Sequence, residues 1–179
     1  MKPIISVVGR SNNGKTTFIE RLIPELKKRG YKVGTIKHDA HKFDIDHEGK
    51  DTWRMAQAGA DTVVIASDKK LAMVKNISDS SSEDEGRETI TFSIDRIAEW
   101  LFPDVDIIIT EGYKREDKPK IEVNRYGELL CGKNDNPIAI INNREDNAKL
   151  TLPEGLEGVV SFRMDEIEKI ADMIEEKFL

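Results

Sequence analysis

The chain has 179 residues, of which 28 are Lys or Arg and 34 are Asp or Glu, so its net charge is −6. This acidic balance argues against binding of nucleic acid through a globally basic surface, because neutralising phosphates requires a surplus of Lys and Arg. Hydrophobic residues make up 38% of the chain and recur throughout it, which favours a folded domain over disorder. We expect a single domain over residues 1–179.

Targeting signals are not evident in the sequence. No apolar run approaches the ~18 residues that a membrane-spanning helix needs. The chain passes from Met1-Lys2-Pro3 directly into a strand-like run, without the pattern of a secretory signal. Its single cysteine, Cys131, has no partner for an internal disulfide and is expected to be a small buried residue. We therefore expect a cytoplasmic protein that binds no membrane.

The start of the chain has the pattern strand, loop, helix, strand. Residues 4–8 (IISVV) are short, apolar and β-branched, as in a buried parallel strand. Apolar residues then recur at spacings of three and four over 15–29, which predicts a helix that ends before Gly30. Pro24 lies inside this helix and is expected to kink or split it. Residues 31–37 are predicted to form the second strand.

The remaining elements alternate in type along the chain. Helices are predicted over 51–59 with Asp51 as N-cap, over 92–102, and over 165–178 with Asp165 and Glu168 as a capping box. Further predicted strands are 62–66, 71–74, 105–110, 120–123, 128–130, 137–141 and 158–162. The pairs 62–66 with 71–74 and 120–123 with 128–130 are predicted to be hairpins.

Residues 76–88 are rich in Ser and acidic residues and are predicted to form an exposed loop. Around it, apolar strands alternate with amphipathic helices. This alternation predicts an α/β fold in three layers, with a mostly parallel sheet and a peripheral β-hairpin.

The sharpest motif follows the first strand. Residues 9–16 (GRSNNGKT) match G-x-x-x-x-G-K-[ST] at each fixed position. In such a loop, backbone N–H groups and the start of the next helix converge on a polyphosphate, a Lys reaches its terminal oxygens, and a Thr hydroxyl holds Mg²⁺. The predicted nucleotide-binding residues of this motif are Gly9, Arg10, Ser11, Asn12, Asn13, Gly14, Lys15, Thr16 and Thr17.

The chemistry of such a loop needs an acidic residue at the tip of a neighbouring strand. Glu111 follows the predicted strand 105–110, so Lys15 and Glu111 are the predicted catalytic residues. The predicted metal ligands are Thr16, Glu111 and Asp39, which follows the second strand. Because Asp is the more usual residue, the choice between direct and water-mediated ligation by Glu111 stays open. No arginine finger is assigned, which predicts slow turnover.

Two further segments have more than one interpretation. His38, Asp39, His41, Asp44, Asp46, His47 and Glu48 fall within eleven residues. They could form a loop that closes over the nucleotide, a plain polar loop, or a Zn²⁺ or Ni²⁺ site, although the spacing fits no standard zinc signature. Asn142, with Asn143, follows the predicted strand 137–141 and is a candidate for contacting a purine. An ordinary asparagine turn is the alternative, and no N-K-x-D guanine motif is present.

Several motifs occur together in a recognisable order. They are GRSNNGKTT (9–17), KHD (37–39), FDID (43–46), GKD (49–51), AGA (58–60), EGYK (111–114) and PKIEV (119–123). Over roughly residues 4–142 the chain resembles the molybdopterin-guanine dinucleotide biosynthesis protein B family. Family members often have an acidic residue at the position of Asn142-Asn143, so this chain departs from the pattern there.

The resemblance implies a P-loop GTPase-like fold, binding of GTP and Mg²⁺, slow GTP hydrolysis, and a homodimer. It also implies an accessory role beside the guanylyltransferase that attaches GMP to molybdopterin, with molybdopterin as a further candidate ligand. The strand 71–74 and the hairpin 120–130 are candidate dimer interfaces. The alternatives are a small-molecule kinase that uses ATP, an NTP-dependent metal-delivery protein, and a non-hydrolysing adaptor that binds GTP as a regulatory ligand.

Overall fold

The computed structural model describes residues 2–38, 45–76, 93–143 and 152–179. The chain divides into two compact units, one formed by Met1–His38 with Phe92–Leu179 and the other by Asp39–Thr91. Apart from its first residue, the predicted acidic loop 76–88 lies outside the described residues. No helix in the described ranges combines the length and the apolar character needed to cross a membrane.

The elements agree with most of the predicted order. The strands are β1 (Ile4–Val8), β2 (Val33–Lys37), β3 (Thr62–Ala66), β4 (Leu71–Lys75), β5 (Ile107–Glu111), β6 (Lys120–Asn124), β7 (Pro137–Asn142) and β8 (Val160–Arg163). The helices are α1 (Lys15–Lys28), α2 (Asp51–Gln57), α3 (Ile94–Leu101) and α4 (Ile167–Phe178), with a 3₁₀ turn at Lys133–Asp135.

The larger unit is built on one parallel sheet with the strand order β2-β5-β1-β6-β7-β8. The chain leaves β1 toward one side of the sheet, and later crosses to the other side between β5 and β6. The carboxyl end of β1 is therefore a topological switch point, where ligands bind in open α/β sheets. The smaller unit holds the antiparallel hairpin of β3 and β4. The predicted α/β class, with a mostly parallel sheet and a peripheral hairpin, is confirmed.

Helices α1 and α4 cover one face of the sheet. In α1, Phe18, Leu22 and Leu26 are four residues apart and fully buried. They join Ile170 and Ile174 of α4 in one core with the strand residues that point to this face. On the opposite face, α3 buries Ile94 and Ala98 against Ile4 and Ile108 of β1 and β5. Because successive strand residues alternate between faces, the short apolar strands supply both cores.

Two buried charged side chains organise the chain segments on the second face next to α3. Lys120 and Glu122 of β6 point away from the α1 and α4 core and are 2% and 0% exposed. The Lys120 ammonium donates to the carbonyl groups of Glu116, Lys118 and Asp135. The Glu122 carboxylate accepts the N–H groups of Leu130 and Cys131 at 2.7 and 2.8 Å. Cys131 is buried as predicted, and burial raises the pKa of its thiol to about 12.

The predicted hairpin of 120–123 with 128–130 is wrong. β6 is an interior strand, flanked on both sides by the parallel strands β1 and β7, so it has no free edge for a third partner. Residues 128–130 form no strand, and their backbone is held by the Glu122 side chain instead. Because β6 is an interior strand, a dimer could not form there by extending the sheet, and the candidate dimer interface at 120–130 stays a prediction.

Three details at helix positions also differ from expectation. α1 continues through Pro24, whose side chain lies on the exposed face, so the Glu20 carbonyl that loses its partner can be hydrated. Lys50, not Asp51, is the N-cap of α2, and Asp51 is its first helical residue. α4 begins after Glu166 without a side-chain cap, because Asp165 accepts from the Arg163 guanidinium and forms no capping box.

An arginine just after α1 ties this helix to α4. The Arg29 guanidinium donates to Glu25 at 2.9 Å, to Asp172 at 2.7 Å, to the Glu168 carbonyl at 2.9 Å, and to Glu175. Its side chain is 17% exposed, so solvent screens these contacts only in part. The hydrogen bond from Arg29 lowers the pKa of Glu25, and the same contact raises the pKa of Arg29 above its ordinary value.

Replacing Arg29 by Met should lower the midpoint of thermal unfolding by about 3–6 °C at neutral pH, as expected for loss of a shared charge network. Because the pKa of Glu25 is lowered in the folded state, this stabilisation is present at neutral pH and is lost as pH falls through about 4 and below. Thermal scans across pH 3–8 test this. A difference between wild type and variant that widens at low pH would contradict the assignment.

Candidate phosphate-binding site

The loop between β1 and α1 has an unusual backbone. Gly9, Asn12 and Gly14 have φ angles of 148°, 62° and 96°. A Cβ atom on Gly9 would lie 2.4 Å from the Val123 carbonyl oxygen, and one on Gly14 would lie 2.7 Å from Nδ2 of Asn143. Both glycines are therefore required by close approach as well as by conformation. The loop lies against the carboxyl ends of β6 and β7, at the switch point of the sheet.

Two asparagine amides fix the loop to the sheet. Nδ2 of the fully buried Asn13 donates to the Val123 carbonyl at 3.2 Å. Nδ2 of Asn143 donates to the Asn13 carbonyl at 3.0 Å, and the Asn143 backbone is itself held by the Asn124 carbonyl. The Asn13 side chain therefore points toward β6. Of the predicted nucleotide-binding residues, Asn13 is one whose side chain stabilises the shape of the loop.

Lys15, the predicted phosphate-binding lysine, lies across the loop. Its Nζ atom donates to the carbonyl groups of Gly9 and Arg10, each at 3.0 Å. Within the residues described, the backbone N–H groups of Ser11, Asn12 and Gly14 have no acceptor. A loop with a nearby ammonium group, free N–H groups and the N-terminus of α1 has the donors that an oxyanion needs.

Thr16 and Glu111 meet beside this loop. The Thr16 hydroxyl donates to Oε2 of Glu111 at 2.9 Å, and Nζ of Lys37 lies 3.9 Å from Oε1. Glu111 is the last residue of β5 rather than the residue after it, and it pairs in register with Val7. A hydroxyl and a carboxylate this close fit Mg²⁺, which prefers oxygen ligands and keeps positions for phosphate and water. Asp39 lies outside the described residues.

The chain reverses immediately after Glu111. Gly112 and Tyr113 have φ angles of 98° and 56°, and the Gly112 N–H donates to the Val7 carbonyl. The Tyr113 ring lies 4.9 Å from the His38 ring, and burial raises the pKa of the Tyr113 hydroxyl. In the described parts of the chain, no three His, Cys, Asp or Glu side chains form a metal site. His41, Asp44 and Asp39 of the histidine and acid segment lie outside those parts.

The remaining predicted residues have varied positions. Asn142 is the last residue of β7 and is half-buried. Arg10 donates its Nε–H to the Glu128 carbonyl at 3.4 Å, while Ser11 and Thr17 are exposed. Sequence reasoning missed the roles of Asn143, Tyr126 and Glu122. The sequence carries no signal for Glu122, because Lys120 and Glu122 alternate with Ile121 and Val123 as in a strand with one solvated face.

Substituting Gly9 by Ala should lower the thermal midpoint by several degrees, because the new methyl group would meet the Val123 carbonyl in an interior strand. Gly158 is the matched control, because a Cβ there meets nothing within 4 Å and its φ is not positive. Differential scanning calorimetry of both variants tests the packing of the loop. Equal midpoints for the two variants would contradict it.

The chain is similar to a known protein family and to named relatives over most of its length. Residues 4–143 match the family model described as molybdopterin guanine dinucleotide synthesis protein B. A Haemophilus influenzae protein named molybdopterin-guanine dinucleotide biosynthesis adapter protein is 37% identical over 69% of this chain and 64% of its own length. The chain therefore spans just under two thirds of that relative. An Escherichia coli protein of the same name is 34% identical over 71% of this chain and 68% of its own length.

Solved structures support the same relationship. The crystal structure of Bacillus subtilis MobB is similar with a TM-score of 0.70 and 26% identity, covering 96% of this chain and 97% of that one. A crystal structure titled molybdopterin-guanine biosynthesis protein B has a TM-score of 0.63 and 32% identity, covering 97% of both chains. These neighbours share the arrangement of a parallel sheet with a small hairpin.

Proposed function

This chain belongs to the molybdopterin guanine dinucleotide synthesis protein B family, and we propose that it binds GTP with Mg²⁺ as an adapter in forming molybdopterin guanine dinucleotide. The observation that carries the proposal is the meeting of Lys15, Thr16 and Glu111 around the loop after β1. These three side chains supply the cation and the oxygen ligands that a nucleoside triphosphate with its metal ion requires.

Each group has a defined task in this proposal. Lys15 would exchange its carbonyl partners for phosphate oxygens, and the free N–H groups of the loop would bind the same anion. Thr16 and Glu111 would hold Mg²⁺, directly or through water, and the ion would neutralise charge on the phosphates. Hydrolysis by this protein alone would be slow, because Arg10 is engaged with the Glu128 carbonyl and arginine fingers contribute about 10³–10⁵ in rate.

The proposed partner is the guanylyltransferase that attaches GMP to molybdopterin, with molybdopterin as a second candidate ligand. This proposal is supported by the adapter names of the relatives, and the loop after β1 is the proposed nucleotide site from which the adapter would act.

A second copy of the chain is also proposed as a partner. In the described part of the smaller unit the sheet contains only β3 and β4, so both of its edges can accept another strand. Val64, Ile65 and Leu71 on this hairpin are 53%, 58% and 68% exposed. A two-stranded sheet with exposed apolar side chains is marginal alone and gains stability by burying them against a copy.

Lys15→Ala should abolish detectable GTP binding in calorimetry while leaving the circular dichroism spectrum unchanged, because it removes the ammonium group and no core contact. Lys27→Ala is the matched control, since Lys27 lies exposed on the same helix.

Glu111→Gln should weaken GTP binding in the presence of Mg²⁺ more than GTP binding in EDTA. Competition by excess ATP as strong as by GTP would favour the kinase alternative, and wild-type affinity in Lys15→Ala would defeat the site.

Val64→Lys combined with Leu71→Lys should shift the protein from dimer to monomer in sedimentation velocity at micromolar concentration, because both side chains lie on one face of the hairpin and like charges would replace their apolar contact. Lys69→Ala, in the exposed turn of the same hairpin, should leave the dimer intact. A wild-type protein that sediments as a monomer would reject this interface.

A further inference from the structure

Residues 125–131, here called the rim segment, contact the outer side of the phosphate loop. The Tyr126 hydroxyl donates to the Ser11 carbonyl at 3.2 Å. The Glu128 carbonyl accepts from Nε of Arg10, and Gly127 lies beside the same arginine side chain. Tyr126 is 49% exposed, so its hydrogen bond to the loop is a larger part of its interactions than its packing. These contacts involve no group that the nucleotide proposal assigns to Mg²⁺.

The contact with Ser11 determines where the next N–H group points. In a planar trans peptide, the carbonyl of one residue and the N–H of the next point in opposite directions. A hydroxyl that holds the Ser11 carbonyl toward the rim segment therefore turns the Asn12 N–H to the other side of the peptide. Asn143 acts in the same way on the Asn13 carbonyl and so on the Gly14 N–H.

The rim segment is itself held by hydrogen bonds to the side chain of Glu122. Both carboxylate oxygens of this fully buried residue accept backbone N–H groups, from Leu130 and Cys131. A buried carboxylate is costly, and it is tolerated when each oxygen has a donor. The rim segment has no regular secondary structure, so it is held by these two bonds and by the Asn124 amide, which donates to the Gly127 carbonyl at 3.3 Å.

We infer that Glu122 is a positioning residue for the phosphate loop, acting through the Tyr126 hydroxyl on the Ser11–Asn12 peptide. The inference rests on the proposed function, because an anion in the loop is what the oriented N–H group would bind. It links the second face of the sheet to the phosphate site in three steps. Glu122 holds the rim segment, and the Tyr126 hydroxyl holds the Ser11 carbonyl. The Asn12 N–H group, on the opposite side of that peptide, is then presented to the nucleotide.

Tyr126→Phe should raise the Kd for GTP with Mg²⁺ about three- to tenfold, as expected for one hydrogen bond, with an unchanged thermal midpoint. Glu122→Gln should raise the Kd by no more than Tyr126→Phe does and should also lower the midpoint, because the amide nitrogen would face a backbone N–H. Arg29→Met is the matched control for stability, since it should lower the midpoint and leave the Kd unchanged.

The double variant Glu122→Gln with Tyr126→Phe tests whether the two residues act in sequence. If Glu122 acts through Tyr126, the double variant has the same Kd as Tyr126→Phe alone. If the increases in Kd of the two single variants multiply in the double variant, or if Tyr126→Phe binds GTP with wild-type affinity, the inference is overturned and the proposed nucleotide site is not affected. Failure of the wild-type protein to bind GTP would instead remove the proposed function, and the inference with it.

Discussion

One asymmetry governs the loop after β1: its carbonyl groups find donors in the surrounding structure, while the N–H groups of Ser11, Asn12 and Gly14 have no acceptor among the described residues. The carbonyl groups of Gly9 and Arg10 accept from Lys15, and that of Asn13 accepts from Asn143. These donors come from α1 and from the segment after β7. The conformation of the loop therefore depends on α1 and on the strands beside it as well as on its glycines.

What the sequence predicted well was local. β1, its loop and α1 follow from an apolar run, two glycines and a helical period, all within about thirty residues, because each signal depends only on near neighbours. The β3 and β4 hairpin follows in the same way from two short runs and a turn. Pro24 does not split α1, and it lies on the exposed face of the helix, where the Glu20 carbonyl that it leaves without a partner can be hydrated.

What the sequence could not predict depended on strand order. Residues 128–130 have the local pattern of a strand, but both edges of β6 are occupied by strands distant in sequence. Lys120 and Glu122 alternate with Ile121 and Val123, a pattern that is also typical of a strand with one solvated face. Only the tertiary structure shows that the charged face is buried and that backbone groups from three segments satisfy it.

Glu111 lies on β5, but its carboxylate contacts the start of α1 beside the loop that follows β1, so the pairing register of β5 with β1 determines this contact. Glu111 pairs with Val7 on one side and with Lys37 on the other, so its backbone is fixed by two ladders. Its carboxylate reaches the Thr16 hydroxyl at 2.9 Å, whereas an Asp at this position would be one methylene shorter. Moving the acid one residue along β5 would turn its side chain to the other face of the sheet. Pairing within the sheet therefore determines both the face on which the Glu111 side chain lies and its distance from Thr16. The longer side chain of Glu fits this position.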